Sequence, residues 1–240
     1  MRVEIAEQPE ALRRTFDALL PQVGALEALG RETRQVLFIA RGSSDNAAVY
    51  GQYLCSVHAG RLASLAAPSV ATVYRADLDL RGVLAVGVSQ SGATEEIVTT
   101  LEWARRCGAR TAAVTNVAGS PLAEAADVPL ITQAGTELAV PATKTYTTQL
   151  AAVAVLATAL GRAGGDREPG GARGGEDRDA RGRGGLEAEL EALGRVPEAV
   201  AGMLELAPAV ERLAERLVGV ETLVVSGRGF AYSTALEVAL

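Results

Sequence analysis

The sequence predicts an α/β fold: three layers, with helices around a parallel sheet, followed by the start of a second copy of the same unit. Three observations carry this. Short apolar runs alternate with helix-length segments, loops rich in Ser, Thr and Gly follow the runs, and a late stretch repeats the first run with its helix. Continuous apolar strands separated by helices imply a sheet buried on both faces, joined by right-handed crossovers.

Apolar residues at helical spacing after Pro9 (Leu12, Phe16, Leu19 and Leu20) predict an opening helix. The period then changes. The runs "QVLFIA" (Gln35–Ala40), "GVLAVGV" (Gly82–Val88), "ARTAAVT" (Ala109–Thr115) and "ADVPLIT" (Ala126–Thr132) are short, apolar or β-branched, and bounded by polar punctuation, so they read as strands. Between them Asp45–His58, Thr94–Cys107 and Pro121–Ala125 read as helices, the last with Ser120 as its N-cap. The longest apolar stretch, Leu150–Leu160, falls short of the roughly 20 residues that span a membrane and predicts a buried helix.

Residues 1–160 therefore form the first domain. From Gly161 to Gly185 the chain turns to Gly, Arg and acids, with too few apolar side chains to offset the entropy of ordering, which predicts a disordered insertion. Its interleaved Asp and Glu cancel most of the arginine charge and favour a solvated linker over an RNA-binding tract. Residues 186–240 read as a helical connection (Leu186–Leu193, Pro197–Leu217) and a strand–helix unit. Aligning Val36–Tyr50 with Leu223–Glu237 superposes Arg41 on Arg228 and Gly42 on Gly229, so this unit opens a second, truncated domain.

Composition narrows the function. With 240 residues, 48% of them hydrophobic, the chain can bury a core of ordinary size. A net charge of −6 without a basic, aromatic-studded stripe argues against nucleic acid as a partner, and no segment is a membrane span. The opening "MRVEIAEQPEALRR" is charged throughout and lacks a signal pattern, so a cytoplasmic protein is expected. Cys55, Cys107 and the lone His58 have no ligand-like neighbours; neither a metal nor a cofactor is expected.

The chemistry concentrates at strand ends, where parallel sheets bind ligands. In "SQSGAT", Ser89, Gln90, Ser91 and Thr94 supply hydroxyls and an amide within six residues, and Gly92 lets the backbone turn. The following helix start adds free N–H groups and a partial positive charge, making a phosphate cradle that needs no Lys or Arg. A capping role alone would take one residue. "RGSSDN" adds Gly42, Ser43 and Ser44 at the previous helix start, where capping and ligand binding are both open. In "ELAVPATKTYTTQ", Thr143 is a candidate cap, and Lys144 is either a solvated helix lysine or a charge beside the site.

The motifs "EIAEQPEALRRT", "RGSSDNA", "SQSGATEE", "TNVAGSPLAEAAD", "AGTELAVPATKTYTTQL" and "GRGFAYSTALEVAL" occur in an order similar to that of the SIS, or sugar isomerase, family, and most closely its amino-sugar branch of deaminases and aminotransferase isomerase halves. The resemblance implies tandem Rossmann-like α/β/α domains, dimerised, with a phosphosugar at the strand ends. By position, Ser89, Gln90, Ser91 and Thr94 match the family's phosphate loop, Ser43 and Ser44 its neighbouring hydroxyl pair, and Val140 a residue whose backbone meets the sugar. Ala142, after Pro141, stands where close relatives carry Ser. The family's isomerising Glu and ring-opening His have no counterpart before Leu240; Glu237 is the matched acid, a candidate catalytic residue or a solvated carboxylate, with Asp45 and Glu137 as the nearest alternatives. The implied function is binding of an aminohexose 6-phosphate for aldose–ketose isomerisation, deamination or amino transfer, the alternative being a phosphosugar-binding module without turnover.

Overall fold

A computed structural model describes residues 1–163 and 183–240. The chain opens with two helices, α1 (Arg2–Ala6) and α2 (Gln8–Leu19), and a third, α3 (Val23–Glu32). The α/β core follows as β1 (Gln35–Ile39), α4 (Ser43–Val57), β2 (Leu62–Leu65), α5 (Ser69–Thr72), β3 (Val83–Val88), α6 (Glu95–Arg106), β4 (Arg110–Thr115), α7 (Pro121–Ala125), β5 (Val128–Ile131) and α8 (Lys144–Ala163). Beyond it lie α9 (Arg183–Gly194), α10 (Val196–Leu204), α11 (Ala207–Leu217) and α12 (Phe230–Ala239).

The five strands form one sheet in the order β2-β1-β3-β4-β5, every neighbouring pair parallel. Alternation along the strands sorts side chains to two cores. Val36, Phe38, Leu84, Val86, Val88, Ala112 and Val114 face the layer of α2, α3, α4 and α8. Ile39, Ala85 and Ala113 face α6 and α7, where Ile97, Leu101 and Leu122 fill the space above small strand residues. Helix α8 is buried nearly all round, as its apolar stretch predicts, with Val153, Val155, Leu156 and Leu160 fully covered.

Four elements have no counterpart in the sequence pattern, the short helices α1 and α5 among them. Strand β2 is a four-residue edge strand, "LASL", too short to show a period, and α3 buries Leu26 and Leu29. Predicted "ADVPLIT" shortens to β5, an edge strand, where the missing N–H of Pro129 is tolerated.

Most of the predicted Gly161–Gly185 insertion lies outside the described residues; its flanks are helical, since α8 runs to Ala163 and α9 begins at Arg183. The predicted strand "TLVVSG" is corrected. Residues 220–228 form no ladder, and Leu223 and Val224 are exposed, because no neighbouring strand among the described residues offers them a partner. The repeat persists in the backbone: Gly42 (φ 61°, ψ −139°) and Gly229 (φ 63°, ψ −135°) introduce α4 and α12 through the same glycine-only turn.

Candidate functional site

The strand order reverses between β1 and β3: the chain leaves β1 for α4 on one face and leaves β3 for α6 on the other. Diverging exits open a crevice at this switch point, the usual ligand position in open α/β sheets. Both hydroxyl clusters sit on its rims. On one side Gly42 lets Ser43 and Ser44 start α4, and neither serine hydroxyl finds a hydrogen bond among the described residues. The capping alternative for this pair does not hold. Their hydroxyls, with the unpaired N–H groups of the first turn, face no protein partner.

On the other side Ser89 is nearly buried, and its Oγ lies 3.3 Å from Thr94 Oγ1. Thr94 is the N-cap residue of α6 but makes no side-chain cap bond. The Ser91 hydroxyl accepts from the Ala93 amide at 3.2 Å, while Gln90 is exposed. The loop is held from behind by the β4–α7 connection and α7: the Gln90 carbonyl accepts from the Asn116 amide at 3.0 Å, and the Gly92 carbonyl from the Leu122 amide at 2.9 Å. Gly92 has φ +62° and presses against Ser120, whose Oγ caps α7 through the Ala123 amide, as the sequence predicts. The loop is thus a preformed turn with hydroxyls on its open side.

The rims are joined by an ion pair that sequence reasoning missed. Arg41 donates to both carboxylate oxygens of Glu96. Glu96 and Glu95 also complement the α6 dipole. A concavity of about 820 Å³ lies beside α6, lined by Thr72, Arg75, Glu95, Glu96, Trp103 and Arg106, and holds none of the predicted phosphate-loop residues.

Val140 and Lys144 lie apart from the crevice loops in sequence, on the segment that links β5 to α8. Val140 is 91% exposed. Lys144 is buried and paired with Glu7, so the solvated reading does not hold. Nor does Thr143 cap α8. Glu137 takes that role, accepting from the amides of Thr143, Lys144 and Thr145 and from the hydroxyls of Thr143 and Thr145. Burial would raise its pKa, but these bonds to the charged form outweigh it and hold the carboxyl below its ordinary range.

Glu237, on α12 against α4, reaches the opening turns of α4, where its Oε2 accepts from Asn46 Nδ2 at 2.8 Å. Nearby Tyr146 is pushed up to about 12, first by burial and then by the Glu237 charge. The same helix pair packs Phe230 edge-on against Tyr50 at 5.9 Å. Asp45, in the first turn of α4, is raised by burial, with Arg41 pulling the other way.

A doubly wound parallel sheet with hydroxyl-bearing loops at its switch point defines a ligand-binding α/β domain. Residues 31–159, more than half of the chain, match the SIS domain, and the chain belongs to that family. It is 37% identical to the glutamine–fructose-6-phosphate aminotransferase (isomerizing) of Symbiobacterium thermophilum over all of its own length and 38% of that enzyme's. It superposes with a TM-score of 0.84 and 27% identity on the C-terminal domain of glucosamine-fructose-6-phosphate aminotransferase from Francisella tularensis, covering 98% of this chain and 63% of that one. A glucosamine-6-phosphate deaminase from Thermotoga maritima is 26% identical, with a TM-score of 0.56 over 81% of this chain and 52% of that one. The chain spans well under half the length of the curated relatives it matches.

Proposed function

We propose that this chain binds an aminohexose 6-phosphate of amino-sugar metabolism in the switch-point crevice, phosphate against the loop Ser89–Thr94 and the start of α4. The observation that carries the reading is the pair of hydroxyl clusters at the exits of the neighbouring strands β1 and β3, each at a helix start. Ser43, Ser44, Ser89, Gln90, Ser91 and Thr94 act as neutral donors, Gly42 and Gly92 shape the turns, and Val140 offers its backbone to the sugar. Lys144 serves from a distance by fixing the start of α8. Names borne by the relatives support isomerisation, deamination or amino transfer as the chemistry. In this reading residues 186–240 begin a second α/β domain, and two copies of the chain pair in the cytoplasm.

Aldose–ketose interconversion needs a base poised near the working pH. Glu137 is committed to the α8 start and Glu237 to Asn46, which leaves Asp45, in the first turn of α4 beside Ser44, as the remaining candidate carboxylate. The engagement of Glu137 and Glu237 favours the second reading, binding without turnover. Calorimetric titration with glucosamine 6-phosphate and with glucosamine tests the first: the phosphorylated sugar binds and the free sugar does not. Equal affinities refute it. Release of ammonia and fructose 6-phosphate from glucosamine 6-phosphate then separates enzyme from binding module.

A further inference from the structure

The segment 132–147 is fastened to α1 and α2 along its length. The Thr15 hydroxyl donates to the Thr132 carbonyl, and Arg14 donates to the carbonyls of Gln133 and Ala134 at 3.0 and 3.3 Å. Glu4 Oε1 accepts from the amides of Leu138 at 2.5 Å and Ala139 at 3.2 Å. Glu7 pairs with Lys144, and the Thr147 hydroxyl donates to Gln8 Oε1 at 2.5 Å. Packing does not hold the middle of this segment, for Leu138 is 86% exposed and Val140 91%. Its path is set by polar attachments alone, and the one next to Val140 is Glu4.

We propose that Glu4 is a positioning residue for ligand binding: by accepting two consecutive amides, its carboxylate fixes the backbone of Val140, the strap that meets the sugar ring. This rests on the phosphosugar reading above. It assigns a binding role to the opening helix, which lies 134 positions from Leu138 and carries none of the phosphate donors. The carboxylate acts on the sugar end only, so a phosphate without a sugar should not feel it.

The test compares the full chain with Glu4→Ala and Glu4→Gln, the second retaining an acceptor oxygen. Amide hydrogen exchange at Leu138 and Ala139 should quicken about tenfold or more in Glu4→Ala and return most of the way in Glu4→Gln, as expected for loss of hydrogen bonds to a charged acceptor. Affinity for glucosamine 6-phosphate should fall about tenfold in Glu4→Ala while affinity for inorganic phosphate stays within about twofold. Unchanged exchange, or equal loss for phosphate and phosphosugar, overturns the proposal. If the unaltered chain shows no preference for the phosphosugar, the function proposed above fails, while exchange still judges Glu4. Should Glu4→Ala not fold, Glu4→Asp, shorter by one methylene, is read by the same two measurements.

Discussion

Arg41 and Glu96 tie the two rims of the switch point together, Nε and Nη2 lying 2.8 and 3.0 Å from the two carboxylate oxygens in a fork-to-fork pair. The guanidinium nearest the hydroxyl loops is thereby occupied, which leaves the neutral donors to receive an anion. Both partners are partly exposed, so a double-mutant cycle of Arg41→Ala and Glu96→Ala in urea unfolding should give a coupling of about 0.2–1 kcal/mol, shrinking as salt is added. A coupling well above that range would mean the pair is shielded from solvent.

Ser89 and Thr94 touch one another, so their contributions should not add. Each alanine variant should lose about 1.5–3 kcal/mol of glucosamine 6-phosphate binding at most, and the double variant less than the sum, by calorimetry. Melting temperatures should move little. A double variant with unaltered affinity would place the phosphate elsewhere.

Gly92→Ala should be the most damaging change in the loop. A Cβ there would lie 2.1 Å from Ser120 Oγ, at a φ of +62° that side chains avoid. The backbone component alone is about 1–3 kcal/mol, so the urea midpoint should drop clearly, with phosphosugar binding lost in the same variant. Adding Ser120→Gly should remove the shortest collision but leave the one with Thr115 Oγ1, 2.7 Å away, and the dihedral strain, so the rescue should be partial.

Acid should loosen the strap before the sheet. Glu4 is held down to about 2, first by its bond from the N-terminal ammonium and then by the Leu138 amide; Glu137 is likewise lowered. A carboxyl whose folded pKa is depressed contributes stability that is complete above its unfolded value, near 4.5, and is lost as pH falls through the folded one. Exchange at Leu138, Ala139, Thr143 and Thr145, corrected for the intrinsic rate, should therefore accelerate between about pH 4.5 and 2. Glu4→Gln with Glu137→Gln should abolish that acid-dependent part.

What the sequence disclosed and what it hid follow one physical divide. Strands β1, β3 and β4 were legible because central parallel strands are apolar on both faces, and α6 and α8 because their patterns run long. The hydroxyl loops were legible because their chemistry is local: six adjacent residues declare it. Long-range polar partners leave no local trace. Glu137 looks like any loop acid until its carboxylate is seen closing the start of α8, and Asn116 like any turn residue until its side chain is seen joining β4 to Ala134 and Gly135. The segment "TLVVSG" has strand composition, yet a strand exists only beside another.

The parallel sheet gives the molecule a direction. All five strands point their carboxyl ends toward one rim, where the hydroxyl loops and the β5–α8 strap gather. The opposite rim, built from the entries to the strands around Arg34, Gly60 and Gly108, carries no residue of the candidate site. For anyone tethering this protein to a surface, attaching a fluorophore or fusing it to a reporter, that rim is the handle: a cargo hung there leaves the working edge facing open solution.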